Sequence, residues 1–259
     1  MAHMNGSGGT KDRRKVKKSG TWGETLKTIV YAVLIAVVVR TFAYEPFNIP
    51  SGSMIPTLLV GDYLFVSKLS YGYSKHSLPF SLSLFSGRIF STKPERGDVA
   101  VFKLPTDNTT DYIKRIIGLP GDRVQVKGGI LHINGAAVKR RRVGEYILND
   151  QYGTTQTFAR YIETLPNGRT HFIIENSDND RLDDTPVYVV PKGHYFAMGD
   201  NRDSSLDSRV LNQVGYVPVE NLVGRAEFLF FSTNGSARLW EVWKWPSAIR
   251  FSRFFNGVD

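Results

Sequence analysis

The chain has 259 residues, 41% of them hydrophobic, and a formal net charge of +9. That is enough material for one or two packed domains. It has no cysteine, which excludes disulfides, thiolate metal sites and a cysteine nucleophile. The charge is unevenly placed. Lys11, Arg13, Arg14, Lys15, Lys17 and Lys18, against Asp12, put five of the nine net charges within eight residues. Nucleic-acid binding calls for basic residues spread over a folded face. Here the excess forms a tail beside an apolar run, the pattern of a membrane flank.

Residues 1–10 read as an expression scar with a flexible linker. Residues 11–25 are the basic tail. Residues 26–43 follow, with Lys27 and Arg40 near the ends and no charge from Ile29 to Val39. As a helix this segment spans roughly 27 Å, against roughly 30 Å of hydrocarbon core. Lys27 and Arg40 can snorkel to the two interfaces. Two other readings compete. One is a cleaved secretory signal with Thr41-Phe42-Ala43 as its site; Arg40 and the long basic stretch count against it. The other is a buried core helix. The preferred reading is one transmembrane helix, with the basic tail in the cytoplasm and residues 44–259 outside.

From Gly61 the pattern turns to strands. Asp62–Val66, Asp98–Phe102 and Tyr112–Ile117 are rich in β-branched and aromatic residues. Val124–Val126 and Ile130–Ile133 read as a hairpin across Gly128-Gly129, and Asn134-Gly135 marks a second turn. Further strands are expected at Tyr161–Glu163, Thr170–Ile174, Val187–Val190, Tyr195–Met198 and Ala226–Phe230. No long helical periodicity appears after residue 45, so the body reads as all-β. Residues 75–95 are too apolar for a solvated loop; they either face a membrane or pack on the core. Residues 236–255 carry Trp240, Trp243, Trp245, Phe251, Phe254 and Phe255 beside Arg238, Lys244, Arg250 and Arg253. These suit a membrane interface, or else aromatics closing the β core.

One short stretch, Pro50-Ser51-Gly52-Ser53-Met54-Ile55-Pro56-Thr57, follows the apolar segment. Proline stiffens both flanks, and glycine permits close approach. Such a bend can present a serine hydroxyl, although most Ser-Gly-Ser stretches are plain loops. A serine nucleophile needs a base. None of the five histidines has an acid at a familiar spacing, and no Gly-x-Ser-x-Gly elbow occurs. A spatial triad stays open. The other candidate base is lysine, which must be neutral; burial lowers its pKa. In a strand Lys114 is bracketed on one face by Tyr112 and Ile116. A strand lysine that simply snorkels to water fits the same letters.

Taken together, Pro50–Leu58, Gly61-Asp62, Arg96–Phe102, Tyr112–Asp122 and Met198–Arg209 resemble the successive boxes of bacterial type I signal peptidase. The resemblance runs in order from about Phe42 to Arg253. It implies a mainly β, signal-peptidase-like fold of two β regions after one N-terminal transmembrane helix. The catalytic core would comprise residues 44–124 and 192–259, and the second, variable β region residues 125–191. It implies a serine endopeptidase of the bacterial inner membrane, with its catalytic domain on the extracytoplasmic side, that cuts preproteins after small-x-small. Ser53 falls on the nucleophile and Lys114 on the general base. Ser51 falls on the hydroxyl that, with the Ser53 N–H, forms the oxyanion hole. Ser205 falls on the serine that hydrogen-bonds the lysine, and Asp207 and Arg209 on a supporting pair. Phe47, Ile49, Pro50, Met54, Leu58, Tyr112 and Ile113 fall on substrate-pocket positions. Asp200, Asn201, Arg202 and Asp203 read as a charge-paired turn joining two strands. The substrate would add as an extended strand to a sheet edge.

The expected partners are signal-peptide-bearing preproteins and membrane lipid, with the chain acting as a monomer. No nucleic acid, cofactor or metal is expected. Asp178, Asp180, Asp183 and Asp184 lack the glycine and distal glutamate of an EF-hand loop. Some members of that family have two spans, whereas this chain shows one. A self-cleaving Ser-Lys regulator and a non-catalytic, membrane-anchored β binding module are the alternatives.

Overall fold

The computed structural model describes residues 22–77, 87–149, 155–238 and 240–258. The described residues up to 37 and those from 38 onward fall in two compact units.

Helix α1 runs from Trp22 to Phe42, four residues longer at its start than the apolar run. Glu24 in its first turn and Arg40 in its last complement the helix dipole. Its 21 residues rise about 31 Å. None of its side chains is buried, and it is apolar on every side. Among the described residues it is the one helix long and apolar enough to cross a membrane.

Fourteen strands follow among the described residues: β1 (Tyr44–Asn48), β2 (Asp62–Ser67), β3 (Val99–Lys103), β4 (Asp111–Gly118), β5 (Arg123–Lys127), β6 (Ile130–Ile133), β7 (Ala136–Ala137), β8 (Lys139–Asn149), β9 (Thr155–Thr164), β10 (Thr170–Glu175), β11 (Tyr188–Val189), β12 (His194–Met198), β13 (Val217–Pro218) and β14 (Leu222–Ser232). Seven form one antiparallel sheet in the order β1-β2-β14-β3-β4-β12-β13. Two smaller sheets have the orders β10-β9-β8 and β11-β5-β6-β7.

The central strand β3 explains why its sequence is apolar without alternation. Val99 and Val101 face a core of Ile49, Met54, Leu58, Leu64 and Val223. Ala100 and Phe102 face a second core of Ile116, Ala197, Val217 and Leu222. The two glycine-turn hairpins form as expected. Gly128 (φ +50°) and Gly129 (φ +72°) join Lys127 to its partner Ile130. Asn134 (φ +54°) and Gly135 (φ +85°) join Ile133 to Ala136. Positive φ at both central residues matches the strand twist.

Strand β8 has no counterpart in the sequence expectations. It opens on Lys139-Arg140-Arg141-Arg142 and carries a register shift between Arg142 and Gly144, so its apolar alternation is broken. Its order comes from ten-residue pairing with β9. Trp240, Trp243, Phe251 and Phe255 are exposed, so they do not close the β core. Of the apolar stretch 75–95, residues 78–86 lie outside the described residues; Ile89 and Phe90 are exposed.

Candidate active site

The loop between β1 and β2 carries Ser51 and Ser53. Met54 and Leu58 anchor it: both are fully buried in the core behind the loop. Burial of two such side chains stabilises by about 1.5–3 kcal/mol each. Of the residues expected in the substrate pocket, these two are not among those that line the cleft described below.

Strand β4 brings Lys114 to this loop. Lys114 Nζ donates to Ser53 Oγ at 2.7 Å and to the Ile113 carbonyl at 3.0 Å. It also lies 5.2 Å from the centre of the Tyr112 ring. Lys114 is only 4% exposed. Burial pushes its pKa down to about 8, with Asp207 and Asp200 pulling the other way. A fraction near one-tenth is then neutral at pH about 7, and a neutral amine can take a proton.

A cleft of about 390 Å³ opens on the pair. Phe47, Ile49, Pro50, Tyr112 and Ile113 line it, with Ser51, Ser53 and Lys114. Val101, Leu206, Asn48, Thr110, Asp111 and Ser204 complete the wall. No histidine lines this cleft among the described residues. Ser51 is exposed at its edge.

The loop after β12 closes the site from behind. Gly199 is the meeting point: a Cβ there would lie 2.2 Å from Ser205 Oγ and 2.5 Å from the Ser53 carbonyl oxygen. Ser205 is buried beside Asp207, whose carboxyl its hydroxyl helps to hold below the usual pKa range. The expected bond from Lys114 to Ser205 is not made; Lys114 is turned to Ser53 and Ile113 instead. Asp207 and Arg209 do pair. Arg209 Nε and Nη2 each donate to the Asp207 carboxylate at 2.9 Å. Asp207 also accepts the Gly199 N–H at 3.1 Å. Burial opposes its charge, yet the Arg209 guanidinium holds its pKa below the usual range.

The four residues Asp200–Asp203 reach outward, and their partners were not visible in the sequence. Asp200 takes two bonds from Arg115, at 2.9 and 2.8 Å, and one from Thr57 at 2.6 Å. Arg202 donates twice to Glu163 of β9, at 2.7 and 2.5 Å. Both pairs are buried and bidentate, the geometry a guanidinium needs to leave water. The Asn201 N–H donates to the Ser53 carbonyl at 3.1 Å.

A buried lysine on a serine, facing an apolar cleft, is the arrangement of an acyl-transfer site. The family model "Signal peptidase, peptidase S26" matches residues 22–231. Signal peptidase I of Rickettsia typhi is 41% identical over 264 aligned positions, covering 95% of this chain and 98% of that one. The chain belongs to the S26 signal peptidase family. Signal peptidase I of Rickettsia canadensis is also 41% identical, covering 94% of this chain and 96% of its own. A crystal structure of a signal peptidase I from Enterococcus faecalis is 29% identical; it covers 52% of this chain and 97% of its own, with a TM-score of 0.30. Membership in the S26 family makes the chain a serine endopeptidase of signal-peptide processing. It displaces the regulator and the binding module as readings.

Proposed function

We propose that this chain is a single-pass membrane peptidase that cuts signal peptides after a small-x-small site, with Ser53 as nucleophile and Lys114 as general base. The 2.7 Å contact between Lys114 Nζ and Ser53 Oγ carries this reading. Neutral Lys114 takes the Ser53 proton as Oγ attacks the scissile carbonyl. The Ser53 N–H and the Ser51 hydroxyl receive the oxyanion. Protonated Lys114 then gives its proton to the leaving amine. Water, with Lys114 again as base, releases the acyl group and restores Ser53. Apolar walls at Phe47, Ile49 and Ile113 favour small side chains at the cut.

The basic tail and helix α1 support an N-terminus in the cytoplasm and a catalytic unit outside. Exposed Trp240 and Trp243, beside Arg238 and Lys244, support a lipid-facing edge. The working unit is a monomer.

The test is cleavage of a preprotein with an Ala-x-Ala site, in lipid, by wild type, Ser53→Ala and Lys114→Met. Loss of product in both folded variants is expected. Activity in Lys114→Met would return the base to a histidine. Protease added outside intact membranes should digest residues 44–259 and spare the tail; the opposite pattern inverts the topology.

A further inference from the structure

Asn201 holds two consecutive carbonyls of the nucleophile loop. Its N–H donates to the Ser53 carbonyl, and its Nδ2 donates to the Gly52 carbonyl, each at 3.1 Å. A trans peptide points its C=O and N–H in opposite directions. By holding the Gly52 carbonyl, which also accepts the Ile55 N–H at 3.1 Å, Asn201 helps to turn the Ser53 N–H away. That N–H donates to nothing else among the described residues.

The same side chain carries a second signal. Asn201 is 3% exposed, and its Oδ1 is buried with no hydrogen-bond partner. Such an atom is destabilising. Turning the amide round would set Oδ1 against the Gly52 carbonyl, oxygen against oxygen. An apolar residue of similar size would avoid the orphan but leave the Gly52 carbonyl to the Ile55 N–H alone, at 3.1 Å. The residue suits the holding of Gly52 better than it suits stability.

Asn201 is itself fixed from the three-stranded sheet. Ile174 of β10 donates its N–H to the Asp200 carbonyl and accepts the Arg202 N–H, each at 3.0 Å. These bonds bracket Asn201 on both sides, and Glu163 locks Arg202.

We propose that Asn201 is a positioning residue for the oxyanion hole, acting through the Gly52–Ser53 peptide; this rests on Ser53 being the nucleophile. Losing an oxyanion donor outright costs about 10²–10³ in kcat, and a misaimed one costs less.

The experiment compares Asn201→Ala and Asn201→Leu with the full-length wild type in lipid. It reads kcat and KM on a preprotein with an Ala-x-Ala site, the pH profile, Tm, and the Ki of a peptide boronate that forms a tetrahedral anionic adduct on serine. The expected kcat falls about 10- to 100-fold, with KM held within about twofold. Boronate affinity falls alongside kcat, the acid limb of the profile stays in place, and Asn201→Leu keeps its Tm. An unchanged kcat, a rise in KM alone, a moved acid limb, or a Tm loss in both variants that tracks activity overturns the proposal. Ser53→Ala is run beside them. If it stays active, the nucleophile assignment has failed; if it is inactive while both Asn201 variants work normally, only the positioning role has failed.

Discussion

Lys114 Nζ lies 2.7 Å from Ser53 Oγ, and the lysine is held there in the interior with a pKa pushed down to about 8. In the proposed mechanism the neutral form is the base. Below pH about 8 the protonated form takes over, so kcat/KM should fall about tenfold per pH unit. A profile from pH 6 to 10 on a peptide substrate should show one acid limb near 8. A limb near 6.5 would instead mark a histidine.

The same burial predicts a more stable, inactive variant. Lys114 has a folded pKa below its unfolded value of 10.5. Between about 8 and 10.5 the unfolded chain binds the extra proton, so folding is penalised as pH falls through that window. The penalty is complete below about 8, at roughly 3 kcal/mol. Lys114→Met has no charge to bury and loses bonds worth about 1 kcal/mol. It should therefore gain about 1–3 kcal/mol at pH 7 by denaturant unfolding, with the gain shrinking toward pH 10.5. A variant less stable than wild type at pH 7 refutes the claim.

Which parts of this site could be read from the letters follows from how local each signal is. The helix, the glycine hairpins and the apolar strands β3 and β4 carry their patterns within a few residues. Ser53 and Lys114 stood out as a nucleophile and a base by chemistry and by resemblance. Met54 and Leu58 lie in the core and off the cleft lining, a distinction the letters do not carry, because an apolar residue near a site reads the same whether it faces substrate or core. Asn201 and the partners of Asp200 and Arg202 were hidden because they lie far along the chain: Glu163 is 39 residues from Arg202, and Arg115 is 85 from Asp200. Only the sheet topology brings them together. Strand β8 was missed because its order comes from pairing with β9 and not from its own alternation.

Asp207 should act on both rate and stability. It is the foremost of the charges that raise the Lys114 pKa. Asp207→Asn removes that charge, so the acid limb should move to lower pH. The change also strands Arg209, a buried guanidinium that keeps the Arg202 carbonyl but loses its carboxylate. Breaking such a pair costs roughly 3–5 kcal/mol. Chemical denaturation and a pH profile on the same preparation should show the two effects together. A limb that stays put would mean that Asp207 does not sense the lysine.

Gly199 separates steric support of Ser53 from general packing. An added methyl would meet Ser205 Oγ at 2.2 Å and the Ser53 carbonyl oxygen at 2.5 Å. The carbonyl is backbone and cannot step aside, so the Ser53 loop must shift. A displacement near 1 Å in a reacting group costs about 10² in rate, while overpacking costs about 1–3 kcal/mol. Gly199→Ala should thus lose about 100-fold or more in kcat while remaining folded. Gly121 is the comparison: its φ is +93°, but an added Cβ meets nothing within 4 Å. Gly121→Ala should lose about 1–2 kcal/mol of stability through backbone strain alone and keep its kcat. Steady-state cleavage and thermal unfolding of both variants decide the matter. Equal kcat losses in the two would show that a strained loop elsewhere disturbs the site as much, and that Gly199 holds no special place behind Ser53.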